Sequence, residues 1–419
     1  MAASGNSRFA RPVAFTYPAF TLYQMARFCI VLATEMQSVA VGWQVYEITK
    51  RPLDLGLVGL AQFLPGVLLF LVSGHVADRY DRRKLVVACY AAFGGCSALL
   101  LFAALRHTRS VYPIYIVVIL IGIVRAFNAP VSRALLPQLV PEEHFPNAVA
   151  WASSVFQTAT ILGPSAGGVV YAVARGPSAV YGLAAVAATV ATLCAFQIKV
   201  ESKARSREPL NARNVLAGLH YIWRKKIILV AISLDLFAVL LGGAVALLPV
   251  YAGDILRTGP WGLGLLRSAP GAGAVTMAIL LAHRPLRRKA GATMLWCVAG
   301  FGAFTVVFGI SRSFALSLAS LLFVGATDMV SVVTRGTLVQ SNTPDEMRGR
   351  VNAVEMMFIG ASNELGQFES GITAAWFGTV PAVVLGGAGA LLITALWAWR
   401  FPELRKAEPP RVVEMAERQ

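Results

Sequence analysis

Six side chains able to carry charge or bind polar groups stand inside stretches that are otherwise apolar: Glu35, Arg125, Asp235, Asp328, Asn363 and Glu364. A charged group within hydrocarbon is costly, so such residues pair with one another, relay protons or hold polar solutes. Glu35 is flanked on one helical face by Thr34, Ser38 and Gly42, with Arg27 in line. Arg125 lies deep in its run, and Asp328 holds the equivalent place 203 residues on. Asp235 is about two helical turns into a run of its own, while Glu355 and Glu369 flank Asn363 and Glu364. A cavity lined by these groups could bind a polar or zwitterionic solute, and Glu35, Asp235 or Asp328 could trade charge for a proton. The plainer alternative is a static pair of Arg125 with Glu35 or Asp328. Arg267, nearer the end of its run, is expected to reach outward to the interface.

The elements that must position these groups follow from composition. The 419 residues are 57% hydrophobic and only 14% charged, and mean hydropathy is +0.64. Such a chain belongs with multi-pass membrane proteins. Crossing ~30 Å of hydrocarbon takes ~20 apolar residues. Twelve segments meet that need: 20–46, 54–77, 85–105, 112–136, 147–174, 178–198, 227–252, 261–282, 291–310, 314–338, 351–377 and 380–401. The expected class is therefore an all-α membrane protein.

The net charge of +16 does not call for nucleic acid, because the bases gather on one face. Only Lys50, Arg51, Arg106, Arg109, Arg175, Arg257 and Arg312 fall in loops on the face opposite the N-terminus. Apart from Arg27, Arg125 and Arg267 within spans, the N-terminal side holds the rest, Arg335, Arg348 and Arg350 among them, so both termini are expected in the cytoplasm. Residues 1–17 carry no apolar run ending in a cleavage site, and no signal peptide is expected. The five cysteines all lie in apolar stretches and read as small core hydrophobes.

The longest polar interval, 199–226, divides six segments from six. It contains an expected amphipathic helix, Asn211 to Trp223, with Val215, Leu216, Leu219, Ile222 and Trp223 on its apolar side. The expected units are 1–198, the linker 199–226, 227–402 and a tail at 403–419. The halves also repeat. A shift of 205 places Arg79, Arg82, Arg83 and Lys84 on Arg284, Arg287, Arg288 and Lys289, and Asn147-Ala148-Val149 on Asn352-Ala353-Val354. His283 stands where Asp78 would be, so the two basic loops are not expected to do the same work.

The first basic loop, Gly74-His75-Val76-Ala77-Asp78-Arg79-Tyr80-Asp81-Arg82-Arg83-Lys84, resembles the signature loop of the major facilitator superfamily. The second glycine of that pattern is Asp81 here. In the fifth segment Ala159, Gly163, Pro164, Gly167 and Gly168 resemble the motif of the superfamily's antiporters, with Ala159 in place of the usual first glycine. Val41 to Tyr46, Leu60 to Pro65, and Arg350-Val351-Asn352 are similar to the enterobactin-exporter and drug-efflux branch, the transmembrane secretion effectors.

The resemblance implies two parallel six-helix repeats and alternating access. Gly74, Asp78, Arg79, Arg82 and Arg83 would form a cytoplasmic latch on the outward-open state. Gly163, Pro164, Gly167 and Gly168 would let the fifth helix bend and slide. The first, fourth, seventh, tenth and eleventh helices would line the cavity. The implied function is export of a small organic molecule, a siderophore or drug-like compound, by proton antiport across a bacterial inner membrane. A lipid or lysolipid translocator of the same fold, or a non-transporting sensor or scaffold, are the alternatives. No phosphate-binding loop, metal cluster or catalytic triad is evident, and His75, His107, His144, His220 and His283 are scattered. No enzyme activity, cofactor, metal or nucleic-acid partner is expected. The partners would be the solute, protons and the lipid bilayer, with the chain acting as a monomer.

Overall fold

The computed structural model describes residues 13–107, 110–199, 212–283 and 290–406. The second basic loop, Arg284 to Lys289, and the tail beyond Lys406 lie outside them. The described residues form helices and no strand. The order is α1 (Pro18–Thr49), α2 (Pro52–Leu68), α3 (Phe70–Arg79), α4 (Arg82–Leu105), α5 (Tyr112–Leu135), α6 (Phe145–Ala174), α7 (Ser178–Gln197) and α8 (Ala212–Arg224). Then follow α9 (Lys226–Leu241), α10 (Leu248–Val250), α11 (Gly259–His283), α12 (Ala290–Ile310), α13 (Phe314–Ser341), α14 (Asp345–Phe377), α15 (Thr379–Arg400) and α16 (Pro402–Lys406).

Among the described residues, nine helical spans are long and apolar enough to cross a membrane. The shorter apolar α2 and the more polar α6 and α14 complete the bundle. Proline in the first turn starts α1 and α2, where its missing N–H has no intrahelical partner to lose.

Two expected spans are broken. The segment expected at 54–77 is α2 and α3 with a turn at Leu69, four residues after Pro65. Proline removes a ladder donor and crowds the preceding turn. The segment expected at 227–252 ends as α9 at Gly242-Gly243 and continues through a 3₁₀ turn, α10 and a π turn at Tyr251–Ile255. The glycine pair is where backbones meet: a Cβ on Gly243 would lie 2.6 Å from the Gly366 carbonyl oxygen.

Helix packing groups the chain by halves. In the first, α1 lies on α6 and α7, α4 on α5 and α7, and α2 on α5. In the second, α13 lies on α11 and α12, and α15 and α14 on α9. The halves meet where α6 packs on α11 and α2 on α14. Small residues make that approach possible. A Cβ on Gly264 would sit 2.5 Å from the Pro164 carbonyl oxygen, and one on Gly371 2.8 Å from Gly56 Cα. Beside these contacts Tyr46 Oη donates to Asp254 Oδ2 at 2.5 Å, carried across by the π turn.

All of these contacts lie toward the face that carries Lys50, Asp254 and Gly378. At the opposite, basic face, a Cβ on Gly74, Gly336, Gly349 or Gly360 would meet nothing within 4 Å. The close backbone approaches between the halves therefore gather at one face, while these glycines of the basic face have open space around them.

The linker helix α8 does not simply lie flat on an interface. Ile222 is buried against the second half, and a Cβ on Gly218 would be 2.7 Å from the Arg350 carbonyl oxygen. Leu216 and Trp223 stay exposed. Asn211 is outside the described residues. The five cysteines are free, as expected.

Because the seal is backbone against backbone, a side chain inserted there cannot be absorbed by rotamer change. Gly264→Val should part the halves at the sealed face. A single cysteine at Val41, in an otherwise cysteine-free protein, should then react with an impermeant thiol reagent from that side. Unchanged protection of Val41→Cys would contradict the seal.

Candidate functional site

A cavity of about 310 Å³ lies between the halves, lined from α1, α2, α4, α5, α6, the 3₁₀ turn after α9, α10, α11 and α14. Four charged side chains face it: Glu35, Arg125, Arg267 and Glu364. Gln37, Gln62, Gln367 and Asn128 supply amides, and Tyr90, Phe93 and Phe156 supply aromatic surface.

Arg125 Nη1 donates to Gln62 Oε1 at 2.8 Å, and its Nη2 lies 3.7 Å from Glu364 Oε1 across the interface. Glu364 Oε2 accepts from Gln367 Nε2 at 3.2 Å, one turn along α14. Arg267 Nη2 donates to Ser38 Oγ at 2.7 Å, a further bond between the halves. Gln37 Oε1 accepts from Ser97 Oγ at 2.6 Å, which fixes that amide. The Arg27 guanidinium stacks over Phe156, 5.4 Å from the ring centroid. Glu35 has no hydrogen bond or ion pair among the described residues.

The guanidinium forks hold their charge at any biological pH, whereas the two carboxyl groups can each accept a proton.

Several residues stand elsewhere than expected. Arg125 meets Glu364 rather than Glu35 or Asp328. Arg267 turns into the cavity instead of outward, because Ser38 offers an acceptor across the interface. Asn363 is exposed and donates to the Ile359 carbonyl of its own helix, a residue off the Glu364 face. Asp235 and Asp328 do not line the central cavity; they flank a separate small pocket inside the second half.

Arg335 is not a loop residue. It is 2% exposed on α13, ion-paired with Asp235 of α9, and its Nε donates to Glu355 Oε1 at 3.1 Å. Residue type alone could not reveal it, since the end of a span and its interior read alike. Gln62 and Gln367 were also missed; amides in apolar runs at helical spacing were the available signal.

The glycines of α6 pack it on two neighbours. A Cβ on Gly163 would lie 2.5 Å from Glu35 Cβ and one on Gly167 2.7 Å from Met36 Cα, while Gly168 abuts Gly264 on α11. Pro164 sits within α6, its carbonyl facing Gly264.

In the first basic loop, Arg82 Nη1 donates to the Ala134 carbonyl at 3.1 Å. Arg83 donates to the Phe196 carbonyl and stacks on that ring. Both bases are thus held within the first half, and Arg79 is exposed. Asp81, where the resembling pattern has glycine, accepts from Lys84 N at 3.1 Å and caps α4. Asp78 lies on α3, and its side chain is outside the described residues.

An all-helical bundle in two halves around a polar cavity is the architecture of a membrane transporter. The chain belongs to the transmembrane secretion effector family of the major facilitator superfamily, whose model matches residues 11–415. It is 26% identical to the enterobactin exporter EntS of Shigella boydii serotype 4 (strain Sb227), over 95% of each chain. It is equally 26% identical to that of Escherichia coli O139:H28 (strain E24377A / ETEC), over the same shares.

Solved structures share the fold. They include an auto-inhibited peptide transporter of the POT family (TM-score 0.70, 13% identity, 94% of this chain and 98% of that one). A D-xylose-proton symporter gives TM-score 0.67 and 15% identity, over 94% and 100%. The chain is a multi-pass protein of the bacterial inner membrane.

The two ion pairs should differ in their effect on stability. Arg335 is buried and its partners nearly so, and removing one partner of such a pair costs about 3–5 kcal/mol. Arg125 is half-exposed, so loss of Glu364 should cost no more than about 1 kcal/mol. Thermal unfolding in detergent should therefore show Asp235→Ala far below wild type and Glu364→Ala close to it. Equal losses would contradict the burial.

Proposed function

We propose that this protein is a secondary active transporter that exports a small organic molecule, a siderophore or drug-like compound, by alternating access in exchange for protons. The observation that carries this reading is the Arg125–Glu364 pair, which spans the halves inside a cavity that also presents Glu35, Arg267, amides, aromatic rings and aliphatic side chains. Its carboxylate is titratable and its guanidinium is not. A solute that bonds Arg125 or Glu364 therefore competes with the contact that ties the halves together, and with a proton. The similarity to enterobactin exporters supports an outward direction and a siderophore among the solutes. The charged wall counts against a lipid or lysolipid occupant.

In this account the halves 1–198 and 227–402 rock about the cavity, joined by the linker 199–226, and 403–419 forms a cytoplasmic tail. Twelve spans place both termini inside, and the chain works as a monomer. The basic face is cytoplasmic, and with the close approaches between halves gathered at the other face the conformation is read as the inward-open one.

Glu35 and Glu364 carry the exchanged proton in the cavity beside Arg125. Asp235 and Asp328 act from their own pocket, and Asn363 tunes α14 from outside the cavity. In the opposite state Gly74, Asp78, Arg79, Arg82 and Arg83 close on the start of α14. The open space around Gly74, Gly349 and Gly360 is what that closure would fill. Gly163, Pro164, Gly167 and Gly168 provide the surface on which α6 slides.

Reconstituted in liposomes with a panel of siderophores and cationic drugs, the wild type should release protons as substrate moves. Glu364→Gln or Glu35→Gln should abolish substrate-dependent proton movement. Transport indifferent to the proton gradient would overturn antiport. Arg125→Lys keeps the charge but loses the planar fork that bonds Gln62 and Glu364 together. It should cut transport at least about tenfold, the equivalent of ~1.4 kcal/mol, and wild-type rates would contradict the role of the fork.

A further inference from the structure

The small pocket lined by Asp235 and Asp328, distinct from the central cavity, has a chemistry of its own. It measures about 10 Å³, lies between α9, α12 and α13, and is closed by Cys297, Phe301 and Ser331 among others. That is the space of about one water molecule. Arg335 stands next to it, already held by Asp235 and by Glu355.

Asp328 has neither hydrogen bond nor ion pair among the described residues. Ser331, one turn further along α13, is 2% exposed, and its hydroxyl is buried without a partner. An unpartnered hydroxyl and an unpartnered carboxyl group thus border one water-sized space. Asp328 is half-buried, but a buried hydroxyl such as that of Ser331 is ordinarily satisfied, so the space lacks a ligand on that side.

Charge indicates which ligand. The titratable or charged groups around the pocket are Asp235 from α9, Cys297 from α12, Asp328 and Arg335 from α13, and Glu355 from α14. One fixed positive charge faces three carboxyl groups. With Asp235 and Glu355 ionised it is already exceeded, and a third carboxylate in the bundle core would be uncompensated. A metal ion would need a shell of oxygens, which the apolar remainder of the wall does not supply. A proton needs one oxygen.

We propose that this pocket is a cation site separate from the substrate cavity, in which Asp328 holds a proton and shares it with Ser331 across the water-sized space. Its occupancy is read by α14. Glu355 holds that helix to Arg335, and Glu364, nine residues on and so ~13 Å along the axis, holds it to Arg125. Loss of the proton sets a third acid against Glu355 for the single guanidinium. That weakens the hold on the helix whose other end of contact is in the cavity. The occupancy stands on the pocket alone, whereas its link to transport rests on the proton exchange proposed at Glu364.

Infrared difference spectroscopy on the full-length protein in lipid, without substrate and across a pH titration, tests the site directly. Wild type should show a protonated-carboxyl C=O band that is lost in Asp328→Asn, shifted in Ser331→Ala and kept in Glu364→Gln. Identical bands in wild type and Asp328→Asn would overturn the proposal. If Asp328→Asn does not fold, an unshifted band in Ser331→Ala overturns it instead.

Replacing choline chloride with sodium chloride at fixed pH should leave the band in place. Its removal by sodium would assign the pocket to a metal ion and refute the proton. Because no substrate is present, failure of the transport reading leaves the band untouched, and the two failures are distinguishable.

Discussion

A guanidinium in an apolar slab cannot shed its charge, and much of this structure is arranged around that constraint. Arg125, Arg267 and Arg335 sit at three depths of the bundle, each turned toward an acceptor on another helix. Arg335 ties α13 to α9 and α14 within one half, where burial makes the pairing structural. Arg125 and Arg267 reach instead across the gap between halves, to Glu364 and Ser38. There the contacts border a cavity and can be exchanged for contacts with a solute. The same residue type thus holds one unit rigid and leaves the joint between two units negotiable.

The seal at the opposite face is of another kind. It is made of backbone approaching backbone at Gly56 and Gly371, and at Gly168 and Gly264, with the Tyr46–Asp254 bond beside them. Dispersion contacts of this sort are numerous and individually weak, so they can be parted together and remade. A buried charge cluster inside the second half and small-residue contacts between the halves suit the rocking proposed for them. The glycine and proline motif of α6 belongs to both systems, since it packs that helix on α1 within its half and on α11 across the joint.

How much of this was legible in the sequence depended on the range of the interaction. Hydropathy and the spread of Lys and Arg are local, and they led to an all-helical membrane fold. The breaks at Leu69 and Gly242 were less visible, although Pro65 and the glycine pair mark them in retrospect. The site was legible only in part. Sequence finds which charges lie in apolar runs, but side-chain direction around a helix decides where each one points. Glu35, Arg125 and Glu364 share the cavity, whereas Asn363, one residue from Glu364, faces away from it. Asp328 matched Arg125 by repeat position, yet it faces a pocket within its own half. Arg335 looked like one more base at a span end, because only tertiary packing brings Asp235 and Glu355 to it.

The central claim is that the halves trade a seal at one face for a seal at the other. Pulsed electron resonance on spin-labelled protein in lipid measures this most directly. One label pair at Arg51 and Phe377 reports the sealed face, and another at Tyr80 and Met356 reports the open one; all four positions are exposed. The account predicts that substrate or a change of pH lengthens the first distance as it shortens the second. Distances that stay fixed, or that move in the same direction, would contradict it.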